Sequence, residues 1–304
     1  MTTIDGTPAW TGVGTANWDG IARPDDMRLV SASSIVKVLA APALEKWAID
    51  TTAQVTVDNL SKVADILNRQ GTEAAVNWVA KSRWLPRAGA ALSASATGTL
   101  IHDIIECWGR GLPIGADKMA IVNSDPVIRA MLDRAWEWFQ AHQPAFVRAE
   151  CVVFDPANGV AGRFDQHWVL DDLGLTLIDI KTTRDTHTAA GNKKRPYADQ
   201  HALQLATYRH APLLATFDAR TTGADGDGPR FYLLSPPEVA ACEANPSVEN
   251  TAILHITPGA CGLYPVDTSE AVHERAKAAA LLHGWLYREA RKAIGPVWGM
   301  EAVA

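Results

Sequence analysis

The reading of the chain turns on GRFDQHWVLDDLGLTLIDIKTT, residues 162–183. Its second half, LTLIDIK, is an apolar run into which an acid, Asp179, and a base, Lys181, are set two positions apart. Burying a lone charge is costly even after relaxation, and a pair recovers that cost only with good geometry. The stretch therefore encodes either an internal salt bridge or a site that needs both groups. Residues two apart on a strand share a face, so Asp179 and Lys181 point the same way. Asp165 lies on the strand before. With three linking residues at 171–173, or five at 170–174, Asp165 falls opposite Asp179, the two carboxylates about 5 Å apart. A four-residue link puts them on opposite faces unless a bulge restores the register. Carboxylates that close repel one another and call for a divalent cation, and hard oxygen ligands suit Mg2+ or Mn2+. Lys181 is a poor ligand for such an ion; it suits steadying a developing negative charge or orienting a water.

Working outward, FVRAECVVFD (146–155), VAGRFDQHWVL (160–170) and LTLIDIKTT (175–183) predict three successive strands, with turns at PANG and DDLG. Apolar residues spaced three and four apart predict helices between Ser33 and about Arg83 and over 94–111, 125–142, about 198–211 and 268–293. TAILHIT and CGLYPVD predict a hairpin around Pro258 and Gly259. Residues 1–30 read as an irregular arm and 218–230 as a loop. The fold class expected is α/β, with helices before and after a mostly antiparallel sheet. Residues 1–93 form an arm and a helical region packed on the core, and 94–304 form the core with its C-terminal hairpin and helix, together one structural unit. No GxxxxGK[ST] motif occurs, so no ATP motor is expected.

Composition excludes some classes. With 47% hydrophobic and 20% charged residues over 304 positions, the chain is too apolar for disorder and long enough for a sizeable core. No run approaches the roughly 20 apolar residues of a membrane helix. The N-terminus lacks a basic flank and an apolar segment, so a cytoplasmic location is expected, with no membrane partner. Cys107, Cys151, Cys242 and Cys261 are scattered without a CxxC spacing, which reads as structural thiols. A net charge of −6 gives no overall sign of nucleic-acid binding, but a local basic lining matters more than the sum.

Three further features bear on the hairpin. His102 sits in GTLIHDIIE, with Gly98 a turn before it to allow close approach of the helix and Glu106 a turn after. Glu150 is a charge in the strand RAECVVFD, and Gln204 and Tyr208 stand one turn apart in QLATY, with Gln200 a turn earlier. Each has an ordinary reading: a satisfied helix histidine, a surface acid, a solvated helix face. In order, however, GxxxH (Gly98 to His102), Glu150, GxxD (Gly162 to Asp165), DxK (Asp179 and Lys181) and QxxxY (Gln204 to Tyr208) resemble the RecB-type branch of the PD-(D/E)XK nuclease superfamily. That branch includes stand-alone phage and bacterial exonucleases and CRISPR-associated adaptation nucleases. The resemblance covers about residues 94 to 211, and SASSIVKVLAAPALEKWA is similar to the N-terminal helices of phage members.

The resemblance implies a restriction-endonuclease-like core, a central mixed sheet flanked by helices, with the hairpin as its catalytic edge. It implies that His102, Asp165 and Asp179 bind Mg2+ or Mn2+, with the Ile180 carbonyl as a further ligand. Lys181 would be catalytic with Asp165, Asp179 and Glu150, while Gln204 and Tyr208 support substrate or site geometry. Many relatives carry an iron–sulfur cluster on one upstream and three downstream cysteines. Here Cys242 and Cys261 have no third cysteine nearby, so no such cluster is expected. The substrate implied is DNA, at single- or double-stranded ends, and a helicase or single-strand annealing protein is the kind of partner that would load it. Lys81, Arg83 and Arg87 around Trp84, and Arg184, Lys193, Lys194 and Arg195, are the basic candidates for a DNA path, where Trp84 is free to stack a base or to sit in the core. The competing readings are a catalytically inactive DNA-binding or assembly subunit of the same fold, and another metal hydrolase.

Overall fold

The computed structural model describes residues 25–36, 42–82, 85, 90–184, 200–222 and 230–293. The N-terminal part holds β1 (Met27–Ser31), α1 (Ala32–Ile35), α2 (Pro42–Asp58), α3 (Leu60–Gln70) and α4 (Thr72–Lys81). Then come α5 (Ala94–Arg110), α6 (Ala116–Ser124), α7 (Pro126–His142), β2 (Ala145–Asp155), β3 (Val160–Leu170) and β4 (Gly174–Thr182). The C-terminal part holds α8 (Gln200–His210), β5 (Leu213–Leu214), β6 (Arg220–Thr222), β7 (Phe231–Leu234), α9 (Pro236–Ala241), β8 (Glu243–Ala244), β9 (Asn250–Ile256), β10 (Cys261–Pro265) and α10 (Glu270–Ala293).

The strands form one mixed sheet in the order β10-β9-β4-β3-β1-β7-β6, and β2 lies along β3, continued by β5 and β8. β4 runs parallel to β9 and β1 parallel to β3, while β2, β4, β7 and β10 pair antiparallel with their other neighbours. Helices α5 and α7 cover one face, where Ile101, Ile104, Met131 and Trp138 pack on Trp168, Ile178 and Ile180. Helix α8 covers the other, setting Leu205 and Tyr208 against Phe164, Leu177 and Ile253. The α/β class and the three central strands agree with the sequence expectation. Helices α2, α3 and α4 take most of their packing from one another.

Two expectations need correction. Met27–Ser31 is not part of an irregular arm but a strand inside the sheet, pairing Val30 with Val160 and Leu29 with Tyr232. The core thus reaches back beyond residue 94, because β3 and β7 need MRLVS between them to satisfy their edges. The stretch 218–230 also contains a strand, β6, whose Arg220 pairs with Leu233.

The caps of the helices around the site are written in the sequence. Ser93 Oγ accepts the Ala96 N–H at 3.2 Å at the start of α5, and Gly111, at φ 63°, ends it in the left-handed region. Pro126 opens α7 behind Asp125, whose carboxylate accepts the Val127 and Ile128 N–H groups at 3.0 and 3.3 Å. The buried Asp125 also accepts the Ala91 N–H at 3.0 Å, and both its oxygens accept from Arg184 Nη2, at 2.9 and 3.1 Å. One carboxylate thereby ties the α7 cap, the approach to α5 and the residue just past β4. Burial pushes its pKa up, but the N–H donors and Arg184 more than offset this, so it is held below the usual carboxylate range.

Asp125→Ala is expected to destabilise the chain by about 3 kcal/mol, since it uncaps α7 and strands the Arg184 guanidinium. Urea unfolding midpoints of parent and variant measure this. Because the folded-state pKa is depressed, the parent's advantage is fully present above the ordinary carboxylate range. It shrinks as pH falls below that range. An unchanged gap in acid would disprove the ionic origin.

Candidate metal centre

β3 has two edges and three neighbours. β2 pairs with it from Val160 to Val169 and uses up one edge. The other is shared, with β4 paired from Leu170 back to Gln166 and β1 only at Val160 and Ala161. Between them β4 and β1 diverge, and the sheet forks beside residues 162–165. Asp165 stands in the fork. The link between β3 and β4 is 171–173, so the three-residue alternative holds. Continuing the register past Gln166↔Ile178 places Asp165 opposite Asp179.

The fork leaves the N–H and C=O of Ile180 without a ladder partner on the β3 side, and buried backbone groups do not stay unpaired. Asp165 Oδ2 accepts the Ile180 N–H at 2.7 Å, and His102 Nε2 donates to the Ile180 carbonyl at 2.9 Å. This fixes the imidazole: in the neutral ring, Nδ1 carries the lone pair, and it lies 3.6 Å from Asp165 Oδ2. Gly98 is what brings α5 so close, since a Cβ there would sit 3.3 Å from Thr182 Oγ1 of β4.

Glu150 completes the cluster by an unusual backbone. It has φ 53°, a left-handed conformation that costs a non-glycine residue on the order of 1 kcal/mol. Its flanking residues stay in the ladder, Ala149 with Gln166 and Cys151 with Phe164. β3 turns over at the same level: Phe164 packs on the α8 side, whereas Trp168 packs under α5 and α7. One ligand atom each from His102, Glu150 and Asp165 thus comes within 4.8 Å of the others.

The electrostatics fit a cation. Burial, then Asp165, pushes the Glu150 carboxyl up, and burial, then Asp179, pushes Asp165 up. One imidazole nitrogen and two crowded carboxylates form a donor set suited to a divalent ion such as Mg2+ or Mn2+. Lys181 Nζ lies 2.5 Å from Asp179 Oδ2. Burial pulls the ammonium's pKa down, but Asp179 and Asp165 outweigh it and leave it raised, so Lys181 stays charged at neutral pH. Lys181 is 28% exposed at its side chain and Asp179 only 5%, so the base opens outward over a sealed acid.

The sequence expectation placed Asp179 and the Ile180 carbonyl among the ligands. Here Asp179 is engaged by Lys181, the Ile180 carbonyl by His102, and Glu150 joins His102 and Asp165 instead. Tyr208 does not border an open surface as a DNA contact would. It is 2% exposed, its ring fills the notch left by Gly162, and its hydroxyl accepts the half-buried Gln204 Nε2 at 2.6 Å. Arg184 is the internal brace to Asp125 and not a groove cation. Glu106 pairs with Arg110 at 2.9 Å. Arg83, Trp84, Arg87, Lys193, Lys194 and Arg195 lie outside the described residues; Lys81 is exposed at the end of α4.

Sequence reasoning missed two features. His201, in the first turn of α8, has its pKa lowered to about 4 by burial and then by the Lys181 ammonium. Next to Glu150 opens a cavity of about 710 Å³ whose lining includes Arg110, Arg163 and Arg230. Arg163 Nε also pairs with Glu150 at 2.9 Å, so the cavity continues directly from the cluster. Arg163 stands beside Gly162 in the quoted stretch, but nothing local there points to its partner Glu150, 13 positions back.

Gly162→Ala tests the notch. A Cβ there would meet Tyr208 Cε1 at 2.2 Å and the ring further in, so the substitution is expected to cost about 1–3 kcal/mol. In a Tyr208→Ala background the same change should cost little, giving a strongly non-additive cycle in urea unfolding. Additive costs would mean that the two motifs do not meet.

No family model matches this sequence, and no curated protein matches it. Among solved structures, the crystal structure of SSO0001 is similar over 61% of this chain and 74% of that one, with 13% identity and a TM-score of 0.24. A likeness that slight carries no argument about fold family or function. Among the described residues, no helix is long and apolar enough to cross a membrane.

Proposed function

We propose that the chain is a metal-dependent DNA nuclease of the RecB-type PD-(D/E)XK kind, an exonuclease in recombination, repair or phage DNA processing. The observation that carries this reading is the meeting of His102, Glu150 and Asp165 at the fork, with charged Lys181 on the adjoining strand. Those four residues come from four elements up to 79 positions apart, and their most economical common purpose is to hold a cation beside a developing anion.

Phosphodiester hydrolysis joins a water oxygen to phosphorus, breaks the bond to the leaving ribose oxygen and moves one proton between them. A bound Mg2+ or Mn2+ supplies charge neutralisation and a more acidic water. Lys181, held by Asp179, offers its ammonium to the nonbridging oxygen as charge builds there. Glu150, its carboxyl pushed up by burial, is placed to take the proton of the attacking water. Arg110, Arg163 and Arg230 in the adjoining cavity suit the neighbouring phosphates, giving the acidic chain a local basic lining. Tyr208 and Gly162 position α8 against β3 and do not contact substrate.

End-labelled linear DNA, single- and double-stranded, beside closed circles, with Mg2+, Mn2+ or EDTA, tests the activity. Cleavage of linear DNA only with metal is expected. Lys181→Ala is expected to lose cleavage by at least about a hundredfold while keeping DNA binding, since its charge acts on the transition state. DNA binding with no cleavage by the parent under any metal would favour the inactive-subunit reading instead.

Asp165→Asn and Asp165→Ala separate metal binding from folding. The amide keeps an oxygen for the Ile180 N–H, so it should unfold near the parent's urea midpoint, whereas Ala should fall short by about 1–3 kcal/mol. Both are expected to weaken Mn2+ binding by calorimetry about tenfold or more. Parent-like affinity in both would remove Asp165 from the site.

A further inference from the structure

A second convergence of ligating side chains lies far along the chain from the fork, where α8 ends and α10 begins. His210 is the last residue of α8, and Glu270 and His273 belong to the first turn of α10. One ligand atom from each lies within 4.8 Å of the others. His210 Nδ1 is 3.6 Å from Glu270 Oε2, and His273 Nδ1 is 3.7 Å from Glu270 Oε1. Ligand atoms bound about 2.1 Å from a tetrahedral ion stand roughly 3.4 Å from one another, close to these separations.

Both imidazoles are prepared for a ligand. His210 Nε2 donates to the Thr268 carbonyl at 2.8 Å, so in the neutral ring Nδ1 presents its lone pair to Glu270. This is the outer hydrogen bond that metal-binding histidines ordinarily make. His273 is 8% exposed, and its Nδ1 is buried with no hydrogen-bond partner. A buried nitrogen left unpaired is costly, and an ion would satisfy it. Burial first, then His210 and Lys277, holds the His273 pKa down, which keeps the ring in the ligating form. The rings stack at 4.3 Å and 12°, so each must turn a little about its Cβ–Cγ bond to aim at one point. Glu270, exposed at the rim, gives an entry path and freedom to close. Lys277 also approaches Glu270 at 3.7 Å but keeps a closer partner in Glu274 at 2.7 Å.

We propose that His210, Glu270 and His273 form a second metal site, for a borderline cation of the Zn2+ type, that staples α10 to α8. Two imidazole nitrogens and one carboxylate favour Zn2+ over Mg2+, in contrast to the oxygen-rich fork. The site does not rest on the nuclease reading. Its role is structural, because α8 also carries Tyr208, whose ring fills the Gly162 notch.

The test uses the full chain carrying Asp165→Ala, which weakens the fork's own metal binding, titrated with Zn2+ by calorimetry and with Co2+ by visible absorption. One equivalent of Zn2+ is expected, with a rise in thermal midpoint and a Co2+ band of an imidazole-ligated ion. Adding Glu270→Gln should weaken Zn2+ binding about tenfold or more and abolish the thermal shift, and His273→Gln should do the same. If His273→Gln fails to fold, the exposed Glu270 position decides alone. Absence of stoichiometric Zn2+ at micromolar concentration, or binding undiminished by Glu270→Gln, overturns the site.

Discussion

The 2.7 Å hydrogen bond from the Ile180 N–H to Asp165 is the contact on which the rest of the arrangement depends. A strand has two edges, and β3 gives one wholly to β2, so β4 and β1 must divide the other and part company between Ala161 and Gln166. The parting strips two backbone groups of Ile180 of their partners. Both are recovered by side chains of the proposed site, the N–H by Asp165 and the carbonyl by His102. The same side chains that gather as ligands therefore hold the split sheet together. Their rotamers are fixed by backbone geometry, which is the preorganisation a cation or a transition state requires.

That economy is offset by local strain. Glu150 is held at φ 53°, two carboxyl groups are crowded until both titrate high, and Asp179 is almost wholly buried against a single ammonium. Each feature opposes folding, and none would persist unless the surrounding ladders over-determined it. The ladders do so: β2 and β3 stay in register on both sides of Glu150, and β4 is locked to β9 from Thr176 to Thr182. The β2–β3 and β4–β9 ladders that flank the fork convert an unfavourable cluster into a fixed one.

What could be read from residues alone was what is local or nearly so. The period-two pattern in LTLIDIK and the turn at DDLG allowed Asp165 to stand opposite Asp179 if the link was three or five residues, as it proves to be, and Gly98 announced a close helix contact that the structure locates at Thr182. The burial of Tyr208 could not be read from its own helix, because polar residues a turn apart look like a solvated face. What turns the tyrosine inward is the missing side chain at Gly162, 46 positions earlier, and no helical pattern contains that information. Glu150 hid its part because positive φ leaves no trace in residue type when the residue is not glycine. MRLVS was passed over since it is five residues long, follows acidic residues and finds its partners only at Val160 and Phe231.

The position of that strand has a temporal consequence. β1 leaves a ribosome well before its partner in β7, which ends at Leu234 some 200 residues later. At about 5–20 residues per second, the apolar core of β1 waits roughly 10–40 seconds for its second neighbour, exposing an unpaired edge meanwhile. Central strands joined over such distances fold slowly, because the long loop must close before the contacts repay it. The fork also cannot take its final shape until then, since β1 sets where β4 and β3 separate. While it waits, the nascent chain is prone to aggregation through β1, and any metal-binding competence at the fork comes only after β7 has emerged.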